Sequence, residues 1–121
     1  MYSILLKAKL HSARVTESDQ DYEGSLLIDQ DLMDAVKLVP YEKILVANVE
    51  NGNRFETYAI PGPRGSRVIG LNGATVHMGG VGDRLIIFAF CLVPTENAGR
   101  HRPLVLVVDE NNDPVGGLQD V

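Results

Sequence analysis

Apolar and polar residues fall into short runs along most of this chain, and few of those runs carry a helical period. Residues 3–10 are apolar with interspersed lysines and predict a strand, which 13–16 continue beyond a bend at His11-Ser12. A polar turn runs from Glu17 to Glu23, and Gly24-Ser25 then leads into a short strand over 26–28. Asp29 reads as a helix N-cap, with Leu32, Met33, Val36 and Lys37 as a short helical stripe that Pro40 ends. Strands over 43–50 and 54–60 flank Asn51-Gly52, a hairpin-turn signal. Residues 61–66 read as a loop, 67–71 as a strand and Asn72-Gly73-Ala74 as the start of a small-residue turn. Val81-Gly82-Asp83 opens a long strand over 85–93, 95–100 predict a helical turn, and 103–109 a last strand. The tail, 110–121, is polar and glycine-rich and predicts partial mobility.

Seven or eight short strands with two short helices and no βαβ rhythm predict a mainly β chain closed into a small barrel. The 121 residues suit one domain, 1–121, with one core, to which oligomerisation would add burial. A net charge of -5 without any Lys/Arg cluster argues against a nucleic-acid partner. The cations stand singly (Lys7, Lys9, Arg14, Arg54, Arg64, Arg67), which suits small anionic ligands. No window reaches the roughly 18 apolar residues that cross a bilayer, so no membrane partner is expected, and the N-terminus lacks a signal-peptide layout. The single cysteine, Cys91, lies in an apolar run and reads as a buried thiol in a reducing compartment; the cytoplasm is the expected location. His11, His77 and His101 lack ligand spacing, so no metal is expected.

CxxC, HExxH and GxSxG are all absent, which leaves few places for chemistry. Gly24-Ser25 allows two readings. One is an ordinary turn into a strand, and the dipeptide alone, being common, favours it. The other is a strained peptide bond beside a hydroxyl that attacks it, with glycine permitting the strained backbone. Acyl transfer from nitrogen to oxygen, elimination and hydrolysis would then leave a pyruvoyl ketone derived from Ser25. Such an electrophile can form a Schiff base and accept electrons, as pyridoxal phosphate does. Along the strand over 54–60, Arg54, Glu56 and Tyr58 share one face, with Phe55 and Thr57 on the other. Lys9 and His11 likewise share a face, and Asn72-Gly73-Ala74 offers backbone N–H groups that could meet an anion. Taken singly, each of these reads as a solvated strand face or a tight turn.

Their order, however, resembles the bacterial aspartate 1-decarboxylase family. The resemblance is carried by Lys9-Leu10-His11, Tyr22-Glu23-Gly24-Ser25, Ile28-Asp29, Asn51-Gly52, Arg54, Thr57-Tyr58-Ala59-Ile60, Arg64-Gly65-Ser66, Asn72-Gly73-Ala74 and Val81-Gly82-Asp83, over residues 1 to about 105. It implies a six-stranded double-psi β-barrel with short flanking helices, assembled as a homotetramer. It implies self-cleavage into 1–24 and 25–121, with Ser25 becoming the pyruvoyl cofactor that forms the Schiff base. It implies conversion of L-aspartate to β-alanine and CO2, supplying pantothenate and coenzyme A. On the same footing, Thr57 polarises the Gly24 carbonyl during cleavage and Tyr58 is the proton donor. Arg54 and Lys9 bind the substrate carboxylates, and Asn72, Gly73 and Ala74 line the substrate site, with Thr57 beside them.

Two positions depart from the family pattern. Ala47 stands where tryptophan is common, and Thr75, which adds a hydroxyl near the substrate loop, where alanine is common. Neither removes a reacting group. A barrel of this shape also suits a non-enzymatic binding module, for which a stable Gly24-Ser25 bond would be the sign. A maturation helper protein is neither required nor excluded.

Overall fold

The N-terminal apolar pattern becomes one strand, β1 (Tyr2–Arg14), rather than two strands and a bend. The register against its neighbour slips between Leu6 and Ala8 and again between His11 and Ala13, where Ser12 takes a φ of 68°. The predicted bend is therefore a β-bulge, an extra residue absorbed while pairing continues. The computed structural model, which describes residues 1–23 and 25–121, adds β2 (Glu17–Asp19), β3 (Leu26–Asp29), α1 (Gln30–Ala35), β4 (Lys43–Asn48), β5 (Arg54–Gly62), β6 (Ile69–Asn72), β7 (Arg84–Pro94) and β8 (Leu104–Val107). Gly73–Met78 and Thr95–Arg100 are 3₁₀ helices.

The strands form one mixed sheet in the order β2-β6-β3-β5-β4-β7-β1-β8. Among the described residues the sheet counts eight strands, within the seven or eight that the apolar pattern predicts and more than the six that the resemblance implies. Three pairs are parallel, β1/β8, β2/β6 and β3/β5, joined by crossovers that carry strands as well as helix, which is why no βαβ rhythm shows in the sequence. The sheet wraps one core drawn from most of its strands and from α1, including Leu10, Leu26, Ile28, Leu32, Ile44, Ile69, Leu71, Leu85 and Ile87. Backbone bonds from Val15 N to Asp83 O (3.0 Å) and from Thr16 N to Ile69 O (2.8 Å) lead β1 across to the strands beyond it. The arrangement is consistent with a β-barrel. Each large aliphatic fully buried in such a core contributes about 2 kcal/mol.

The predicted hairpin forms between β4 and β5. Ala47 pairs with Arg54, Asn48 N donates to Asn53 O, and Gly52 turns the chain with a φ of 77°. Asp29 does cap α1, accepting from Asp31 N at 2.8 Å, but its buried carboxylate also accepts from Gly65 N (3.1 Å) and Arg67 N (2.7 Å). Two expectations are corrected. The Glu17–Asp19 stretch pairs with β6 instead of forming only a turn, and Cys91 is half-buried, because the outer end of β7 runs past the core. The tail also folds back: Val108 bridges Pro114, and Asn112 is buried between Arg14 and Arg67.

Candidate functional site

Ser25 lies at the mouth of β3, and strand register fixes its neighbours. Leu26 pairs with Ala59 of β5 on one side and Leu71 of β6 on the other. One step back along each register sets Ser25 beside Tyr58 and Asn72. The second of these neighbours is bonded directly: Asn72 N donates to the Ser25 carbonyl oxygen at 3.0 Å. Because strand side chains alternate, buried Leu26 and Ala59 turn inward and Ser25 and Tyr58 outward. Gly24, the other half of the expected cleavage step, lies outside the described residues.

The Ser25 carbonyl accepts a second hydrogen bond, from Thr75 Oγ1 at 3.0 Å. The same hydroxyl lies 2.7 Å from the Asn72 carbonyl. Gly73, Ala74 and Thr75 belong to the 3₁₀ helix that follows β6, so the expected small-residue turn is a tight helix packed against the start of β3. Asn72 is itself buried, and its side-chain Nδ2 has no hydrogen-bond partner among the described residues. A buried donor left open costs on the order of 1–3 kcal/mol.

On the β5 side, Tyr58 lines a cleft of about 550 Å³ with Asp21, Tyr22, Glu23, Tyr41 and Ile60. The Tyr41 and Tyr58 rings sit 6.4 Å apart. Tyr41 reaches this position through a left-handed φ of 69°, held by its N–H on the Ala59 carbonyl at 2.8 Å. Nothing in its local sequence marks it, since the contact comes from a strand beyond the turn. Thr57 is half-buried and pairs with Ile44, on the opposite face of β5 from Tyr58.

Lys9 and Arg54 sit apart from this cluster. Cross-strand pairing lays two rows over the outer face of the sheet, Lys9–Phe88–Leu45–Glu56 and His11–Ile86–Ala47–Arg54. At ~4.8 Å per strand step the two ends of each row stand roughly 14 Å apart, and Arg54 lies two residues further along the strand from the row of Lys9. Between them lies an apolar floor of Ile86, Phe88, Leu45 and Ala47, lowered where Ala47 is small. Neither cation has an ion pair among the described residues, and Lys9 Nζ lies 6.0 Å from the Phe88 ring centroid. Five other cations are committed to acids: Lys7 to Glu42 (2.7 Å), Lys43 to Glu56 (2.6 Å), Arg64 to Asp31 and Asp34, Arg67 to Asp29 and Asp113, and Arg84 to Glu50. His11 lies on the same face. Burial, then the charges of Lys9 and Arg84, hold its imidazole below its usual pKa, which favours the neutral ring.

Among the described residues, no helix is long and apolar enough to cross a membrane. Among the described residues, no group of three His, Cys, Asp or Glu side chains is placed to hold a metal.

A sequence profile for aspartate decarboxylase matches residues 1–115. An aspartate 1-decarboxylase of Chlorobium limicola is 51% identical over 110 residues, covering 91% of this chain and 86% of that protein. Proteins of the same name from Geobacillus and Hyphomonas neptunium are 49% and 53% identical, covering 93% and 90% of this chain and 88% and 92% of their own lengths. With a profile that spans nearly the whole chain and relatives that share about half its residues, this protein belongs to the aspartate decarboxylase family.

Proposed function

We propose that the chain cuts itself between Gly24 and Ser25, converts Ser25 into a pyruvoyl group and uses it to decarboxylate L-aspartate to β-alanine, supplying pantothenate and coenzyme A. The observation that carries this is the setting of Ser25. Its carbonyl is gripped by Asn72 N and Thr75 Oγ1, next to Tyr58 at a cleft. The residues fit the group: a hydroxyl to make it, two donors on the carbonyl that will adjoin the ketone, and room at the cleft for a small substrate.

When formed, the group supplies a ketone that takes up the substrate amine and draws electrons from the carbon losing CO2. The side chains do the rest. Thr57 donates to the Gly24 carbonyl during self-cleavage, where one aimed donor is worth about 3 kcal/mol. Tyr58 Oη holds the proton that returns to the substrate carbon. Arg54 forks onto one carboxylate and Lys9 attracts the other. Asn72, Gly73 and Ala74 wall the site beside Ser25.

Arg54 lies four residues before Tyr58 on β5, ~14 Å along the strand, so the cations and Ser25 of one chain are spread over different parts of the surface. A homotetramer would bring the outer face of one copy to the Ser25 cleft of another. The exposed side chains of Ile4, Phe90 and Leu92, and a groove of about 350 Å³ lined by Ile4, Leu45 and Phe90, offer apolar surface for that assembly. A double-psi topology for the barrel and a cytoplasmic setting complete the reading. Purified chain given L-aspartate should release β-alanine without added cofactor, and Ser25→Ala should release none. β-Alanine from the Ser25→Ala chain would refute it.

A further inference from the structure

The Ser25 carbonyl oxygen has two donors, and one of them is divided. Asn72 N–H points at it from β6 at 3.0 Å. The Thr75 hydroxyl carries a single proton but lies 3.0 Å from this oxygen and 2.7 Å from the Asn72 carbonyl. Thr75 is nearly buried, so water does not compete freely for that proton.

We propose that Asn72 N–H and the Thr75 hydroxyl form an anion hole for the elimination step that turns Ser25 into the ketone, with Thr75 as its switchable half. This rests on the reading that Ser25 attacks the Gly24 carbonyl. That attack leaves Gly24 esterified to Ser25 Oγ and frees the Ser25 amine. The Cα–H bond of Ser25 then breaks, and its proton passes to hydroxide or water. The electron pair forms the Cα=Cβ bond, the Cβ–Oγ bond breaks, and Gly24 leaves as a carboxylate. The resulting enamine takes a proton at Cβ, water adds at Cα, and ammonia departs, leaving a methyl ketone with no net oxidation or reduction.

As the α-proton leaves, negative charge spreads onto the Ser25 carbonyl oxygen, the atom the two donors already face. Before that moment the shorter contact, to the Asn72 carbonyl, competes for the Thr75 proton. Charge on Ser25 O makes it the stronger acceptor, and the proton turns to it. The bond therefore strengthens only as the transition state forms, which is the condition for lowering a barrier rather than tightening the ground state.

The ester has a competing fate. Water attack at its Gly24 carbonyl also cuts the chain but leaves an ordinary serine at the head of 25–121. The donors on Ser25 O assist elimination and not this hydrolysis, so they set the ratio of the two products. Thr75→Val keeps the shape of the side chain and removes the proton; Thr75→Ser keeps the hydroxyl. A hydrogen bond to a developing charge is worth about 1.5–3 kcal/mol, so elimination should slow about tenfold or more. Intact mass of 25–121 over time reads the outcome directly. Wild type should give chiefly the ammonia-lighter fragment. Thr75→Val, or Thr75→Ala if the valine chain does not fold, should shift the product towards serine-headed fragment, and Thr75→Ser should restore the wild-type ratio. If wild type never cuts, the functional reading fails. If wild type matures but the ratio is unchanged in Thr75→Val or Thr75→Ala, the anion hole is overturned, because a merely structural role would slow cutting without changing how the ester partitions.

Discussion

The buried carboxylate of Asp29 is clamped to Arg67: it takes the backbone N–H at 2.7 Å and the guanidinium at 3.3 Å. This clamp holds one end of β3, and Ser25 stands at the other. Burial alone would raise the Asp29 pKa. The N–H groups of Arg67, Asp31 and Gly65 and the Arg67 charge outweigh it, so the carboxyl is held below its ordinary 3.8. A carboxyl depressed in the folded state stabilises the fold fully above its unfolded pKa. That stabilisation is lost as pH falls through the lower, folded pKa. Asp29→Asn should cost about 3 kcal/mol at neutral pH, measured by urea unfolding. The gap to wild type should narrow below about pH 4. A gap that stays constant down to pH 2 would contradict the ionised clamp.

Asn112 ties the tail to β1 and to the loop before β6. Its side chain accepts from Arg14 N at 2.7 Å and donates to the carbonyls of Arg14 and Arg67, both at 2.9 Å. Asn112→Ala should destabilise the chain by about 2 kcal/mol, because it leaves part-buried backbone groups unpaired. A change below about 0.5 kcal/mol, the scale of an ordinary surface substitution, would show that the tail is not fastened there.

These two clamps show where the sequence was legible and where it was not. Strand runs, the Asp29 cap, the Asn51-Gly52 turn and the helical turn at 95–100 are local patterns, and local chemistry dictates them. The Asp29–Arg67 bond, the burial of Asn112 and the pairing of Glu17–Asp19 depend on segments far away in the chain, and polar residues in loops give no periodic signal of that. The site divides the same way. Ser25, Tyr58 and Asn72 could be singled out from their order, but their adjacency comes from parallel and antiparallel registers that no window contains. Thr75 shows only as a departure from the family pattern; its bond to Ser25 needs the fold. The separation of Lys9 and Arg54 from Ser25 was equally invisible, since it follows from strand order.

Arg54→Lys should keep self-cleavage intact and lower aspartate turnover by about tenfold to a hundredfold, because a lysine cannot fork onto a carboxylate. Steady-state rates on fully cleaved protein make the comparison. Wild-type turnover in that variant would remove Arg54 from substrate binding.

Thr57→Val should stop the chain before maturation. Loss of one donor to a developing oxyanion slows the attack about a hundredfold, so full-length protein should persist on gels long after wild type is cut. Prompt cutting would place that donor elsewhere.

In the proposed function Ser25 is spent once to make an electrophile. The intact mass of the purified wild-type chain after prolonged incubation tests it most directly. Two fragments should appear, 1–24 and 25–121, with the larger lighter than its sequence by the mass of ammonia. A single full-length mass, or a 25–121 fragment that still begins with serine, would contradict it.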